Sequence, residues 1–457
     1  MNPENDHSQQ DVADSRDKFL ACKDAAESGD VDAMYRLGLC LKHGDGVEQD
    51  PQQAVRMFRR AANAGVPEAF LELGRRYADG NGVKQDFTKA ARFLERAAEE
   101  GIPRALVELG RRYADGDGVE KDVEKAIEYF ERADEEGVPD GVYRLGVIFE
   151  KGDDVEPDCA RAAKYFERAA EEGNADAALR LGDLYADGDG VEQNDELAFE
   201  WFQRAADAEN QGAFLRLGDA FYHGRGVAQD RQKAVQHYKR ASDAGDPVAT
   251  YRLALCVLNG EGIKRNFTRA AELFKSAAEA GIPEAMGRYG RFLKDGRGVR
   301  RNAEEAVRWF QRAADLNVAD ALHALGECYA EGQGVERDSA TAFEFFERAA
   351  ATGHVPAIFS VGICLRDGFG VERNAQEAVE RFQRAADENY PPALFALGDC
   401  YYGGIGVERD VEKGLQLLRQ SAELGDAEAI RTLERRRRDA AGPGPGPGPG
   451  PQGPFFR

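Results

Sequence analysis

The sequence predicts an all-α solenoid of helical hairpins, and three observations predict it. A short phrase returns every 36 residues, marked by Gly38, Gly74, Gly110, Gly146, Gly182, Gly218, Gly290, Gly326, Gly362 and Gly398, with Ala254 in the remaining slot. Each period carries two apolar stripes at helical spacing. Between the stripes stand residues that start and stop helices, always at the same phase. A period of roughly 20–50 residues without slippage means stacked supersecondary units, each packed mainly on its neighbours. Length alone would allow about three domains, but the unbroken period argues for one elongated body whose function lies on its surface.

The chain opens on a polar, acidic stretch, residues 1–15, expected to be disordered. Residues 16–29 form an N-terminal capping helix, with Ala25, Ala26 and Gly29 in register with the repeats that follow. Eleven repeats then fill residues 30–425. In the second, Ala69, Phe70, Leu73, Gly74 and Tyr77 make the apolar stripe of a first helix, helix A, of about a dozen residues. The loop Gly80–Asn81–Gly82 supplies positive-φ positions at which the chain leaves helix A and reverses. Repeat four has Asp154 at the second glycine position, which predicts local strain without a change of fold.

A second helix, helix B, starts at Asp86, and the equivalent slots hold Asp50, Asp122, Asp158, Asn194, Asp230, Asn266, Asn302, Asp338, Asn374 and Asp410. All are N-cap residues, whose side chains accept from an orphan N–H of the first turn, a contribution of about 0.5–2 kcal/mol over Ala. Its inward face carries Ala90, Leu94, Ala97 and Ala98, and the Leu94 slot is usually aromatic, as at Phe58 and Phe130. Helix B closes at Gly101, with Asn317 and Asn389 standing in at two equivalent slots. A C-terminal capping helix is expected over 426–438 and a disordered Gly-Pro tail over 439–457, ending in Phe455 and Phe456.

Formal net charge is −22, which disfavours nucleic acid as a partner. No window of about 18 apolar residues predicts a membrane span. The opening residues lack the pattern of a secretory leader, so a cytoplasmic location is expected, with Arg435–Arg438 as a second reading toward nuclear import. Cys40, Cys256, Cys328, Cys364 and Cys400 share one phase and read as small buried residues in a reducing compartment. No metal or other cofactor is expected, since Cys and His do not cluster at ligand spacings.

The run Ala105, Leu109, Gly110, Tyr113, Gly116, Gly118, Val119, Asp122, Lys125, Ala126, Phe130, Ala133, Gly137 resembles the Sel1-like repeat, a relative of the tetratricopeptide repeat, with Asp134 replacing one alanine of the pattern. The resemblance implies a right-handed α/α superhelix acting as an adaptor or scaffold in protein complexes. A cysteine-rich secreted branch of that family carries β-lactamase-like activity. This chain lacks the paired cysteines of that branch, so the hydrolase is an alternative reading, as is a regulatory subunit targeted through the Arg-rich tail.

If helix A lines an inner curve, as in the tetratricopeptide relatives, the slot three residues before the marking glycine faces a partner. It holds Tyr35, Leu71, Val107, Tyr143, Leu179, Leu215, Tyr251, Gly287, His323, Phe359 and Phe395. This ladder is either packed against the next helix A or a groove for an extended peptide or amphipathic helix. Arg75, Arg76, Arg111 and Arg112 make a basic patch, and Arg144, Arg180, Arg216, Arg252 and Arg288 continue an Arg row. They suit an acidic segment or chain terminus, or pair within the chain. No nucleophile elbow, phosphate loop or HExxH run is present, and the expected function is non-enzymatic protein binding; the oligomeric state is not readable.

Overall fold

The computed structural model describes residues 4–152 and 154–440, with side chains from 15 to 437. Among the described residues there are 24 helices and no strands. The chain divides into two compact units, residues 1–230 and 231–457. The first holds the N-terminal helix, repeats one to five and helix A of repeat six; the second holds helix B of repeat six and everything after it.

Each helix of a repeat has 13 residues, and the reason lies in its ends. In repeat two, helix A (Pro67–Asp79) stops at Gly80, which is left-handed at φ 69°. Helix B (Phe87–Glu99) starts where the Asp86 side chain accepts from the Lys89 N–H at 2.9 Å. The same Asp or Asn cap is made at Asp50, Asp122, Asp158, Asn194, Asn266, Asn302, Asp338, Asn374 and Asp410. Helix B ends in a Schellman motif: Gly101 donates to the Ala98 carbonyl and Ile102 to that of Ala97.

Two glycine positions have a purpose beyond turning the chain. A Cβ on the marking glycine would lie 2.6 Å from the helix B ring of its own repeat, as at Gly110 against Phe130. A Cβ on the second loop glycine would lie 2.2 Å from the start of the previous helix B, as at Gly82 against the Pro51 carbonyl. Within each unit, close approach therefore seals the hairpins and joins each to the one before. The rings of Phe58, Phe130, Phe166, Phe274, Phe310 and Phe382 are fully buried, each contributing about 1.5–3 kcal/mol.

The ends differ from expectation. The first helix runs Glu4–Glu27, so residues 4–15, expected to be disordered, are helical and continue the capping helix backwards. The last helix runs Ala427–Ala440 and continues through the arginine run. Arg436 there pairs with Asp399 at 2.9 Å and lies 3.7 Å over the Tyr402 ring, contacts that favour the helical continuation. Phe455, Phe456 and the rest of the Gly-Pro tail from 441 lie outside the described residues. Asp154 sits at φ 61° with the fold intact around it.

Candidate protein-interaction surface

The ladder on helix A is two kinds of position. Leu71, Val107 and Leu215 are buried, as is Gly287. Tyr35, Tyr143, Leu179, Tyr251, His323, Phe359 and Phe395 are half-buried. Five of the rings rest on the helix B ring of their own repeat, at centroid separations of 5.9 Å (Tyr35–Phe58), 5.8 Å (Tyr143–Phe166), 5.9 Å (Tyr251–Phe274), 5.3 Å (His323–Phe346) and 5.7 Å (Phe359–Phe382). Each is thus fixed from beneath by a buried aromatic while part of its surface stays accessible. A ring held in one rotamer loses little entropy on meeting a partner, which is what makes aromatic residues effective anchors.

The four arginines do not share one exposed patch, because adjacent helical residues point about 100° apart. Arg75 and Arg111 are 33% and 45% exposed at the side chain. Arg76 is buried beside Glu72 at 3.8 Å, and Arg112 pairs with Asp117 at 3.2 Å while lying 5.4 Å over the Phe87 ring. Arg76 and Arg112 are thereby committed to the fold.

In the first unit, charge on the helix A faces follows a rule of position. The residue just after the marking glycine meets the residue two before the next one, as in Arg75–Glu108 at 3.5 Å and Asp183–Arg216 at 2.6 Å. The hydrogen bond from Arg216 to Asp183 pushes the guanidinium pKa further up. Where the first position is apolar, the residue one turn later takes over, as in Lys42–Glu72 at 3.0 Å and Glu150–Arg180 at 3.7 Å. The arginines of helix B face elsewhere: Arg204 and Arg312 lie over the Trp201 and Trp309 rings, at 4.4 and 4.3 Å, a structural role.

Repeats eight to ten carry a titratable cluster. His323 Nε2 lies 3.0 Å from Ser360 Oγ, and His323 Nδ1 lies 3.7 Å from Glu327, which accepts from Lys294 at 2.8 Å. Burial pushes the His323 pKa down to about 4, so the imidazole is neutral near pH 7. The trio has the residue types of a hydrolase triad without its directionality. Ser360 Oγ donates to the Pro356 carbonyl at 3.0 Å, so its proton points along its own helix.

Comparison with known proteins settles the family. The Sel1 repeat model matches eleven times, over residues 31–66, 67–102, 103–137, 139–174, 175–210, 215–246, 247–282, 283–318, 319–354, 355–390 and 391–426. The chain belongs to the Sel1 repeat family. Among solved structures, this Sel1 repeat protein is similar to a protective antigen of uropathogenic Escherichia coli with an SLR fold, at 31% identity and a TM-score of 0.79, covering 91% of this chain and 93% of that one. It is also similar to a Sel1 repeat protein from Oxalobacter formigenes, at 28% identity and a TM-score of 0.52, covering 68% of this chain and 90% of that one. No curated protein sequence matches it. The α/α solenoid is shared with these proteins, and scaffolds for protein–protein interaction are typical of the fold.

Within this Sel1 repeat protein four of the five cysteines expected to be buried, Cys256, Cys328, Cys364 and Cys400, are buried free thiols, whereas Cys40 is only half-buried; burial pushes the Cys328 and Cys364 thiols up to about 11. They are packing residues rather than nucleophiles. Sequence reasoning missed Lys42, Glu72, Lys294 and Ser360 as parts of the helix A face. Comparing charge signs between the slot after each marking glycine and the slot two before the next would have found the pairing rule.

Proposed function

We propose that this Sel1 repeat protein is a non-enzymatic scaffold or adaptor that binds a peptide or helical segment of a partner protein on its helix A faces. The observation carrying the reading is the set of half-buried aromatic rungs, five of them braced by a buried ring of helix B. In this reading Tyr35, Tyr143, Leu179, Tyr251, His323, Phe359 and Phe395 contact the partner. The buried Leu71, Val107 and Leu215 shape the wall, and Arg75 and Arg111 steer acidic partners. Arg76 and Arg112 act only by supporting the fold, through Glu72 and Asp117. The net charge of −22 supports a protein partner over nucleic acid, and the buried, weakly acidic thiols support a reducing, cytoplasmic setting.

The test is affinity purification with mass spectrometry, comparing wild type with a variant carrying Tyr35→Ala, Tyr143→Ala, Phe359→Ala and Phe395→Ala. Loss of the same partners from the variant, with helical circular dichroism retained, is expected. Unchanged partners would overturn the reading, as would nitrocefin hydrolysis by the purified protein for its non-catalytic half.

A further inference from the structure

The pairing rule has one exception among the charged junctions of the first unit. Between repeats three and four, the residue after the marking glycine is Arg111 and the residue two before the next is Arg144. Two cations occupy the positions that hold Arg75–Glu108 and Asp183–Arg216 at sibling junctions. The acid nearest Arg111 is Glu108 of its own helix, at 3.8 Å, and Arg75 takes that same carboxylate at 3.5 Å. Among the described residues Arg144 has no ion-pair partner; its guanidinium lies 5.9 Å from the Tyr143 ring centroid.

Both arginines line a cleft of about 300 Å³ between helix A of repeat three (Pro103–Asp115) and helix A of repeat four (Pro139–Lys151). Lys151 and Lys121 stand at its walls, Asp115 is the one acid on it, and Val147 and Ile148 make its apolar side. Lys121 is engaged by Asp154 at 2.5 Å, which leaves Arg111, Arg144 and Lys151 to set the charge. Elsewhere in this unit the fold answers charge with charge at this level, and here it gathers like charges at a cost in a chain that is otherwise strongly acidic.

We infer that this cleft is the receptor for an acidic segment of a partner protein, its carboxylates bridging Arg111 and Arg144 and an adjacent apolar side chain lying on Val147 and Ile148. Guanidinium forks match carboxylates in pairs, and the missing counter-charge at the junction is what such a segment supplies. The apolar wall beside the cations, and the Tyr143 rung on the same helix as Arg144, fit a polypeptide better than a small anion. The inference rests on the protein-binding reading and specifies which junction takes the charged part of the partner.

The experiment uses the full chain and fluorescein-labelled twelve-residue peptides of alternating Glu and Leu, with Lys-for-Glu peptides as controls. Fluorescence anisotropy should register the acidic peptide alone, with affinity falling several-fold from 50 to 150 mM NaCl. Arg144→Glu should weaken binding at least tenfold while raising the thermal midpoint by about 1 °C, because it restores the matched junction. Arg111→Gln, which carries no new pair, should weaken binding by a similar factor with the midpoint unchanged or higher. Binding unaffected by both variants, equal binding of the Lys peptides, or no binding to wild type would each overturn the inference. Displacement of the peptide by equimolar inorganic phosphate would overturn the choice of a polypeptide occupant. The aromatic-rung variant, assayed by partner capture, judges the parent reading separately.

Discussion

Two clefts in the first unit stand at the same place in the repeat and carry opposite charge. The one between repeats three and four is lined by Arg111, Arg144, Lys121 and Lys151 against Asp115. The one between repeats five and six, of about 290 Å³, is lined by Asp183, Asp187, Asp195 and Asp219 against Arg216 and Arg225, over Phe199 and Phe202. Both lie between consecutive A helices beside a helix B start, and both have a marking glycine packed under an aromatic ring. The acidic cleft is closed electrostatically by Asp183–Arg216, whereas its basic counterpart is left open. The repeat therefore separates scaffold from specificity: the apolar and capping positions hold the geometry, and charges one residue to the side set what each junction attracts.

The largest expected effect tests that shared geometry. At Gly110 and Gly182 an added Cβ would stand 2.6 Å from the Phe130 and Phe202 rings. Gly110→Ala and Gly182→Ala should each destabilise the protein by about 1–3 kcal/mol through overpacking, read by urea denaturation. Equal costs would support identical scaffolds at the two junctions; a cost at one alone would break the comparison. Ala254 fills this slot naturally, so Ala254→Gly gives the reference for a repeat already adjusted to a methyl group.

A second effect separates junctions governed by salt from a site governed by pH. His323 has its folded pKa depressed to about 4 by burial, with Glu327, His354 and Lys294 around it. The unfolded chain, titrating near 6.5, binds the proton more readily. Stability is therefore complete above about pH 6.5 and lost as pH falls toward 4, by an amount on the order of 2 kcal/mol. His323→Phe, which places in this slot the residue that repeats ten and eleven carry, should flatten the stability profile between pH 6.5 and 4.5. An unchanged slope would remove His323 as its source. The two clefts, built on Arg, Lys and Asp, should respond in that range to ionic strength instead.

The fold was legible because its determinants are local and repeated: Asp86 and its equivalents cap helix B, Gly80 and Gly101 turn the chain, and the Phe130 slot marks the core. The candidate surface was less legible. Seven of the ladder positions are half-buried while Leu71, Val107 and Leu215 sink into the core, a distinction set by neither phase nor residue type, since Leu179 is half-buried where Leu71 and Leu215 are buried. Arg76 and Arg112 looked equivalent to Arg75 and Arg111 in a linear reading, but one helical step turns Arg76 into burial beside Glu72 and Arg112 toward the loop residue Asp117. The helix through residues 4–15 escaped because that segment is polar on every side and has no stripe to announce it.

A smaller effect comes from exchanging the electrostatics of the two junctions. Asp183→Arg removes the pair with Arg216 and recreates at repeats five and six the like-charge arrangement of repeats three and four. Because these side chains are partly exposed, the expected loss is only about 0.5–1 kcal/mol, shrinking in 1 M NaCl. If the altered cleft then takes up the acidic Glu–Leu peptide, charge at the two positions suffices for recognition. If it does not, the apolar wall of Val147 and Ile148, which the acidic cleft lacks, contributes the remainder.

The smallest expected gains lie at two strained residues, one beside each junction. Glu209, at φ 61°, follows helix B of repeat five where most other repeats have glycine, and Asp154, also at φ 61°, stands in the loop of repeat four. A left-handed conformation costs a side-chain-bearing residue about 1 kcal/mol, so Glu209→Gly should stabilise by about 0.5–1 kcal/mol after the added entropy of the unfolded chain is deducted. Asp154→Gly should gain less, since Asp tolerates that conformation better than Glu and the substitution gives up the ion pair with Lys121. Denaturant midpoints order the two variants: a larger gain for Asp154→Gly than for Glu209→Gly would mean that a side chain's tolerance of the left-handed region does not set the cost at these two positions.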